Sequence, residues 1–171
     1  MKTIIIALDP SGNYYEGRGV TGYCIYNAVD NCFITCGSIL AKDFDCAEAY
    51  WDTVIDFLDW ATKVYQDSII VCEDYLLYAN RATSQINSRM ETPKLLGVIQ
   101  YWCYQHEIQY CMQTAVEVKT RWTNEILAHK GYIEAYGKSW TPTSGDNKTY
   151  THHSLDAIRH AIHYNTFKNR S

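Results

Sequence analysis

The apolar and polar positions of this chain switch between a two-residue and a 3.6-residue period, and the switches mark its elements. Residues 3–8 are a short apolar run that stops at Asp9-Pro10-Ser11-Gly12, a turn signal directly after a strand. Val20 to Asn27 alternates and is rich in Tyr, Val and Ile, Cys32 to Leu40 is a second β-prone run, and Val29-Asp30-Asn31 lies between them as a turn. These segments predict an antiparallel hairpin beside the first strand. From Asp45 to Tyr65 the period becomes helical, through Ala47, Tyr50, Trp51, Val54, Leu58, Ala61 and Tyr65, and Asp45 with Glu48 three residues on resembles a capping box. Ser68 to Cys72 is continuously apolar, as in a strand covered on both faces, and ends in Glu73-Asp74.

Tyr75 to Glu91 is polar and uneven, after which Pro93 opens an apolar helix through Leu95, Leu96, Val98, Ile99, Trp102 and Cys103. Ile108 to Met112 predicts a fifth strand and Lys119 to Lys130 a helix. Gly137 to Tyr150, rich in Gly, Ser, Thr, Pro and Asn, reads as a loop. Leu155, Ile158, Ala161 and Ile162 mark the apolar side of a last helix starting near His153, and the tail, about 165–171, reads as frayed. The order predicts an α/β fold: a five-stranded mixed sheet, three antiparallel strands and then parallel ones, flanked by helices. At 171 residues the length suits a single domain, 1–171.

Composition narrows the function. Apolar residues at 47% and charged residues at 20% place the chain among globular proteins. The opening Met1 to Ile6 is too short an apolar stretch for a signal-peptide core or a membrane span, so the expected setting is the cytoplasm, with no membrane partner. Seven cysteines, an odd number, fit reduced thiols there, and Cys32 and Cys36 read as two strand residues on one face rather than half a zinc site. A net charge of −4 gives no broad basic surface to phosphates. A nucleic-acid partner therefore requires charge in the right place rather than in excess, and a cation-binding carboxylate cluster would account for several of the negative charges.

Asp9 and Glu73 close two apolar strands that are natural neighbours at the centre of a sheet, so their carboxylates would converge at one edge. Asp156, in the first turn of the last helix, shares a helix face with His153 three residues earlier. Three carboxylates and an imidazole together make a hard-ligand site for Mg²⁺ or Mn²⁺ and suit two-metal phosphodiester hydrolysis. Each residue also has a plainer reading: Asp9 as a turn cap, Glu73 displaced by Asp74, Asp156 as a partner of the helix dipole, His153 as a surface histidine.

Four motifs in order resemble the RuvC-type Holliday junction resolvases of the RNase H-like superfamily. They are Ile-Ile-Ala-Leu-Asp-Pro-Ser at 5–11 with Val-Thr-Gly-Tyr at 20–23, Val71-Cys72-Glu73, Val118-Lys119, and His153-Ser-Leu-Asp156-Ala157. The polar stretch before His152 and the Thr120 to Asn124 continuation resemble the bacteriophage-encoded members. The resemblance implies an RNase H-like fold, a homodimer, paired nicks in four-way junctions or other branched DNA, and Mg²⁺ as cofactor with Mn²⁺ as a substitute. It implies Asp9, Glu73, His153 and Asp156 as metal ligands and Lys119 as a group near the scissile phosphate. Asn80, Arg81, Lys119 and Arg121 would contact DNA. In a phage-encoded member the compartment would be the host cytoplasm.

Arg89, Lys94 and Lys138 offer further phosphate contacts, and Tyr75, Tyr78, Trp122 and Trp140 offer stacking on unpaired bases, each with solvated surface or packing as the alternative. Two other readings stay open: an RNase H-like nuclease for RNA–DNA hybrid or structured RNA, and a junction-binding module without catalysis. An ATP-handling protein of the actin and sugar-kinase type would need a second phosphate loop and a duplicated domain, which this length does not provide.

Overall fold

The computed structural model describes residues 2–76, 89–148 and 151–169. Six strands form the main sheet: β1 (Ile4–Asp9), β2 (Val20–Asn27), β3 (Cys32–Leu40), β4 (Ser68–Asp74), β5 (Tyr110–Thr114) and β8 (Asp146–Lys148), in the order β5-β4-β1-β2-β3-β8. β1, β2 and β3 are antiparallel neighbours, while β4 runs parallel to β1 and β5 parallel to β4. This is the expected mixed sheet of five strands, extended by the short β8 alongside β3. Between them come α1 (Ala47–Val64), α2 (Glu91–Gln105), α3 (Ala115–Arg121), α4 (Asn124–His129) and α5 (His152–Phe167). β6 (Ile133–Tyr136) and β7 (Ser139–Pro142) make a separate antiparallel pair.

Alternation along the central strands sorts the core into two layers. Ile4, Ile6 and Leu8 of β1, with Ile70 and Cys72 of β4, pack under Tyr50, Val54 and Leu58 of α1 and Leu95 and Ile99 of α2. Ile5 and Ala7, with Ile69 and Val71, pack under Leu155, Ile158 and Ile162 of α5 and Val118 of α3. Side chains on a strand change face at every residue, so continuing each series by two puts Asp9 and Glu73 on the α5 face. Asp74 falls on the other face.

Several boundaries differ from the sequence expectations for local physical reasons. The first helix is capped by Cys46, whose thiol accepts from Ala49 N at 3.4 Å, rather than by an Asp45–Glu48 box. The expected 119–130 helix breaks at Trp122, because Thr123 caps a new helix by accepting from Ile126 N. The fifth strand runs two residues later than read, bringing Gln113 and Thr114 into register with Glu73 and Asp74. The 137–150 segment is not all loop, since β7 and β8 fall within it. A register shift beside Ile34 places Phe33 and Cys36 in the same core layer, so Cys32 and Cys36 do not share a face. The last helix extends to Phe167, and beyond it Asn169 accepts from Lys2 N and donates to Lys2 O. Among the described residues no helix is long and apolar enough to cross a membrane.

Candidate metal centre

Strand pairing builds the site as a row. Asp9 is in register with Gly22, Gly22 with Ser38, and Glu73 with Gln113, while Leu8 and Cys72 pair one step before the two acids. Ser38, Gly22, Asp9, Glu73 and Gln113 thus line one edge across five strands, and α5 lies over that edge. Its first turn is fixed by Thr151, which caps Ser154 N while the Ser154 hydroxyl receives from Thr151 N. Ser154 is further bonded to Ser38 at 2.7 Å and to Gly37 O at 2.8 Å. Gly22 makes the approach possible: a Cβ there would lie 2.1 Å from the carbonyl carbon and oxygen of His153. The turn after β1 is held from the opposite face by Tyr50, which donates to Ser11 O at 3.0 Å.

With α5 seated in this way, its polar side chains meet the row. His153 Nδ1 stands 2.6 Å from Asp9 Oδ2. Asp156 points to Lys119 Nζ at 2.9 Å through Oδ2 and to Arg159 through Oδ1. His160 Nε2 is 3.0 Å from Glu73 Oε2. Asp9, Glu73 and Asp156 each bring a carboxylate oxygen to within 4.8 Å of the others. Lys119, projecting from α3, inserts its ammonium between two of them, 3.1 Å from Glu73 and 2.9 Å from Asp156.

The charge states follow from these contacts. Burial pushes the Asp9 carboxyl up against the opposing His153 hydrogen bond, and the charges of Glu73 and Asp156 add to the rise. Burial would lower His153, but the hydrogen bond and charge of Asp9 outweigh it and lift the imidazole. The pair therefore holds its shared proton to higher pH than either group would alone. Burial would likewise raise Glu73, yet the hydrogen bond from His160 and the charge of Lys119 hold it below its ordinary value. Lys119 is raised because Asp156 and Glu73 outweigh its desolvation.

These residues suit a divalent cation. The donors are all carboxylate oxygens, the hard ligands that Mg²⁺, Mn²⁺ and Ca²⁺ take. A positive group, the Lys119 ammonium, already lies among them as a stand-in. His153 is not a member of the three-carboxylate set; its Nδ1 is engaged by Asp9.

The other expected contact residues are scattered. Arg121 lies over the Phe167 ring, at the far end of α5, and Arg89 over Tyr15. Lys94 and Lys138 are exposed. Trp122 is buried in the core layer under α5, with Trp140 partly packed against that layer, and Tyr75 is partly packed against the opposite layer. Tyr78, Asn80 and Arg81 lie outside the described residues. Three residues at the site escaped the sequence reading: His160, Gln113 and Arg159. The spacing 153, 156, 160 along one helix face was the available signal for His160.

No family model matches the sequence, and no curated protein is significantly similar to it. Solved structures do resemble it in fold. One is "T. thermophilus RuvC in complex with Holliday junction substrate", at 10% identity and a TM-score of 0.65 over 97% of this chain and 96% of that one. Another is "Thermus thermophilus RuvC structure", at 10% identity and a TM-score of 0.60 over 93% and 91%. The chain has the RuvC type of RNase H-like fold.

Proposed function

We propose that this chain is a metal-dependent endonuclease that cleaves branched DNA, Holliday junctions included, by two-metal phosphodiester hydrolysis. The observation that carries the reading is the convergence of Asp9, Glu73 and Asp156, from two strands and a helix, at the sheet edge beneath α5. The fold supports it, since a neighbour of the same architecture is described in complex with a Holliday junction substrate.

In this reading Asp9, Glu73 and Asp156 hold the cations. His153 joins them through Nε2, the ring nitrogen that Asp9 does not engage. Bound Mg²⁺, with Mn²⁺ as a substitute, would activate water and stabilise the leaving oxygen. Lys119, partly exposed beside Glu73 and Asp156, would turn from these carboxylates to a non-bridging phosphate oxygen when cations neutralise them. Asn80, Arg81 and Arg121 would contact the DNA beyond the centre.

A homodimer belongs to the proposal, because paired nicks in a four-way junction need two centres. Tyr101 and Tyr104, exposed on α2, offer an apolar face for it. The bacteriophage-type assignment, with a host cytoplasm as the compartment, rests on the sequence resemblance of the Thr120 to Asn124 continuation and of the polar stretch before His152.

The test is cleavage of labelled four-way junction, duplex and RNA–DNA hybrid in Mg²⁺, Mn²⁺ or EDTA, with Asp9→Asn and Asp156→Asn alongside. Metal-dependent paired cuts in the junction, absent from both variants, are expected. Preferential cutting of the hybrid would move the activity elsewhere in the superfamily, and tight junction binding without cutting would make the chain a binding module.

A further inference from the structure

Resting on the metal-centre reading above, we infer that His160 is a positioning residue that donates a hydrogen bond from Nε2 to Glu73 and so orients this carboxylate for the cation, with Gln113 fixing the imidazole from its other side. His160 is wholly buried on α5, one turn past Asp156. Its Nε2 lies 3.0 Å from Glu73 Oε2 and its Nδ1 2.9 Å from Gln113 Oε1. Gln113 is buried too, on β5 directly beside Glu73.

The hydrogen-bond inventory fixes the direction. An imidazole with its only hydrogen on Nδ1 would turn the Nε2 lone pair toward a carboxylate oxygen, which has no hydrogen to give. The hydrogen must therefore be on Nε2. Two arrangements satisfy Nδ1: it carries a second hydrogen and donates to Gln113 Oε1, or the Gln113 amide is turned over and donates to it. The second has independent support, because with its oxygen toward His160 the Gln113 amide leaves a buried nitrogen that finds no partner among the described residues, and the O and N of an amide exchange places on a half-turn. In both arrangements Nε2–H donates to Glu73.

Of the two groups on Glu73 Oε2, His160 is the fixed one. Lys119 has a 39% exposed side chain on a separate short helix, whereas the His160 ring is enclosed between α5 and the sheet. Helix α5 thereby carries one ligand, Asp156, and also the group that aims a second ligand arriving from β4. Loss of such an orienting partner typically weakens metal binding about 10–100-fold.

The experiment measures Mn²⁺ binding to the full chain by calorimetry, with thermal unfolding in EDTA and in Mn²⁺, for wild type, His160→Phe, His160→Gln and Gln113→Leu. His160→Phe keeps the ring volume and removes the donor, and its Mn²⁺ affinity is expected to fall about 10–100-fold. His160→Gln, whose amide nitrogen reaches the place of Nε2, is expected to recover most of that loss. A purely structural role would lower the melting temperature in EDTA and leave the affinity alone. A folded His160→Phe binding Mn²⁺ like wild type overturns the inference, as does a His160→Gln as weak as His160→Phe. If His160→Phe does not fold, Gln113→Leu decides: it frees the imidazole, and unchanged affinity there overturns the inference. Absence of Mn²⁺ and Mg²⁺ binding in the wild type itself overturns the metal-centre reading instead.

Discussion

The Lys119 ammonium lies between two of the carboxylates proposed to hold a cation, which makes Lys119→Met the most informative single change. Its ammonium sits 2.9 Å from Asp156 and 3.1 Å from Glu73, and those carboxylates have Asp9 as a third neighbour within 4.8 Å. Breaking a fully buried ion pair costs about 3–5 kcal/mol, and an exposed pair contributes about 0–1 kcal/mol. With its side chain 39% exposed against carboxylates that are 10% and 18% exposed, Lys119 falls between these limits, at about 2 kcal/mol. For a chain of this size that corresponds to a melting temperature roughly 4–8 °C lower in EDTA. The metal response has the opposite sign. A cation entering the wild type must displace the ammonium, and in Lys119→Met it need not, so affinity should rise by up to about 30-fold, the same 2 kcal/mol expressed as binding. Thermal unfolding across an Mg²⁺ or Mn²⁺ titration reads both effects: the variant starts lower, climbs more steeply and reaches its plateau at less metal. A variant as stable as wild type in EDTA and no more responsive to metal would refute the stand-in argument.

Three further outcomes are expected. Gly22→Ala would push a methyl group into the His153 backbone, 2.1 Å from its carbonyl carbon, so α5 must lift; chemical denaturation should show a loss of about 3 kcal/mol and the thermal response to Mg²⁺ should disappear with it. His163 is buried with its pKa depressed by desolvation, more than its bond to Glu117 restores, so it binds a proton less readily in the fold than in the unfolded chain. Its contribution is complete above its ordinary value of 6.5 and is lost as pH falls through the depressed one; His163→Phe should show a shallower decline of melting temperature on the acid side, and superimposable acid limbs would contradict this. Asn169→Ala removes the two hydrogen bonds that tie the end of the chain to Lys2, and should lower stability by about 1–2 kcal/mol while leaving Mn²⁺ affinity at the wild-type value.

Much of this architecture is legible in the sequence because it is written as periodicity. The alternation of Ile5, Ala7 and Asp9, and of Ile69, Val71 and Glu73, already places both acids on the face that α5 covers. Register is not written that way. The row from Ser38 to Gln113 exists because strands far apart in sequence align, and no window along the chain contains that alignment. Reading the fifth strand two residues early hid Gln113, and β8, three residues long, is too short to show any period and takes its conformation from pairing with β3.

The site residues share a property, burial, that periodicity reveals only in part. Asp9 and Gln113 are buried at strand positions where the pattern of their own element calls for an apolar side chain, and Asp156 and His160 are buried on the polar side of α5. Burying such groups is costly unless each is partnered, and a sequence that repeatedly accepts the cost along one strand edge and one helix face has concentrated its polar atoms there. Carboxylates and imidazoles taken into the interior along one strand edge and one helix face therefore point to the centre, while the unbroken apolar run Ile4 to Leu8 and the apolar side of α5, Leu155, Ile158, Ala161 and Ile162, anchor the strand and helix that hold it.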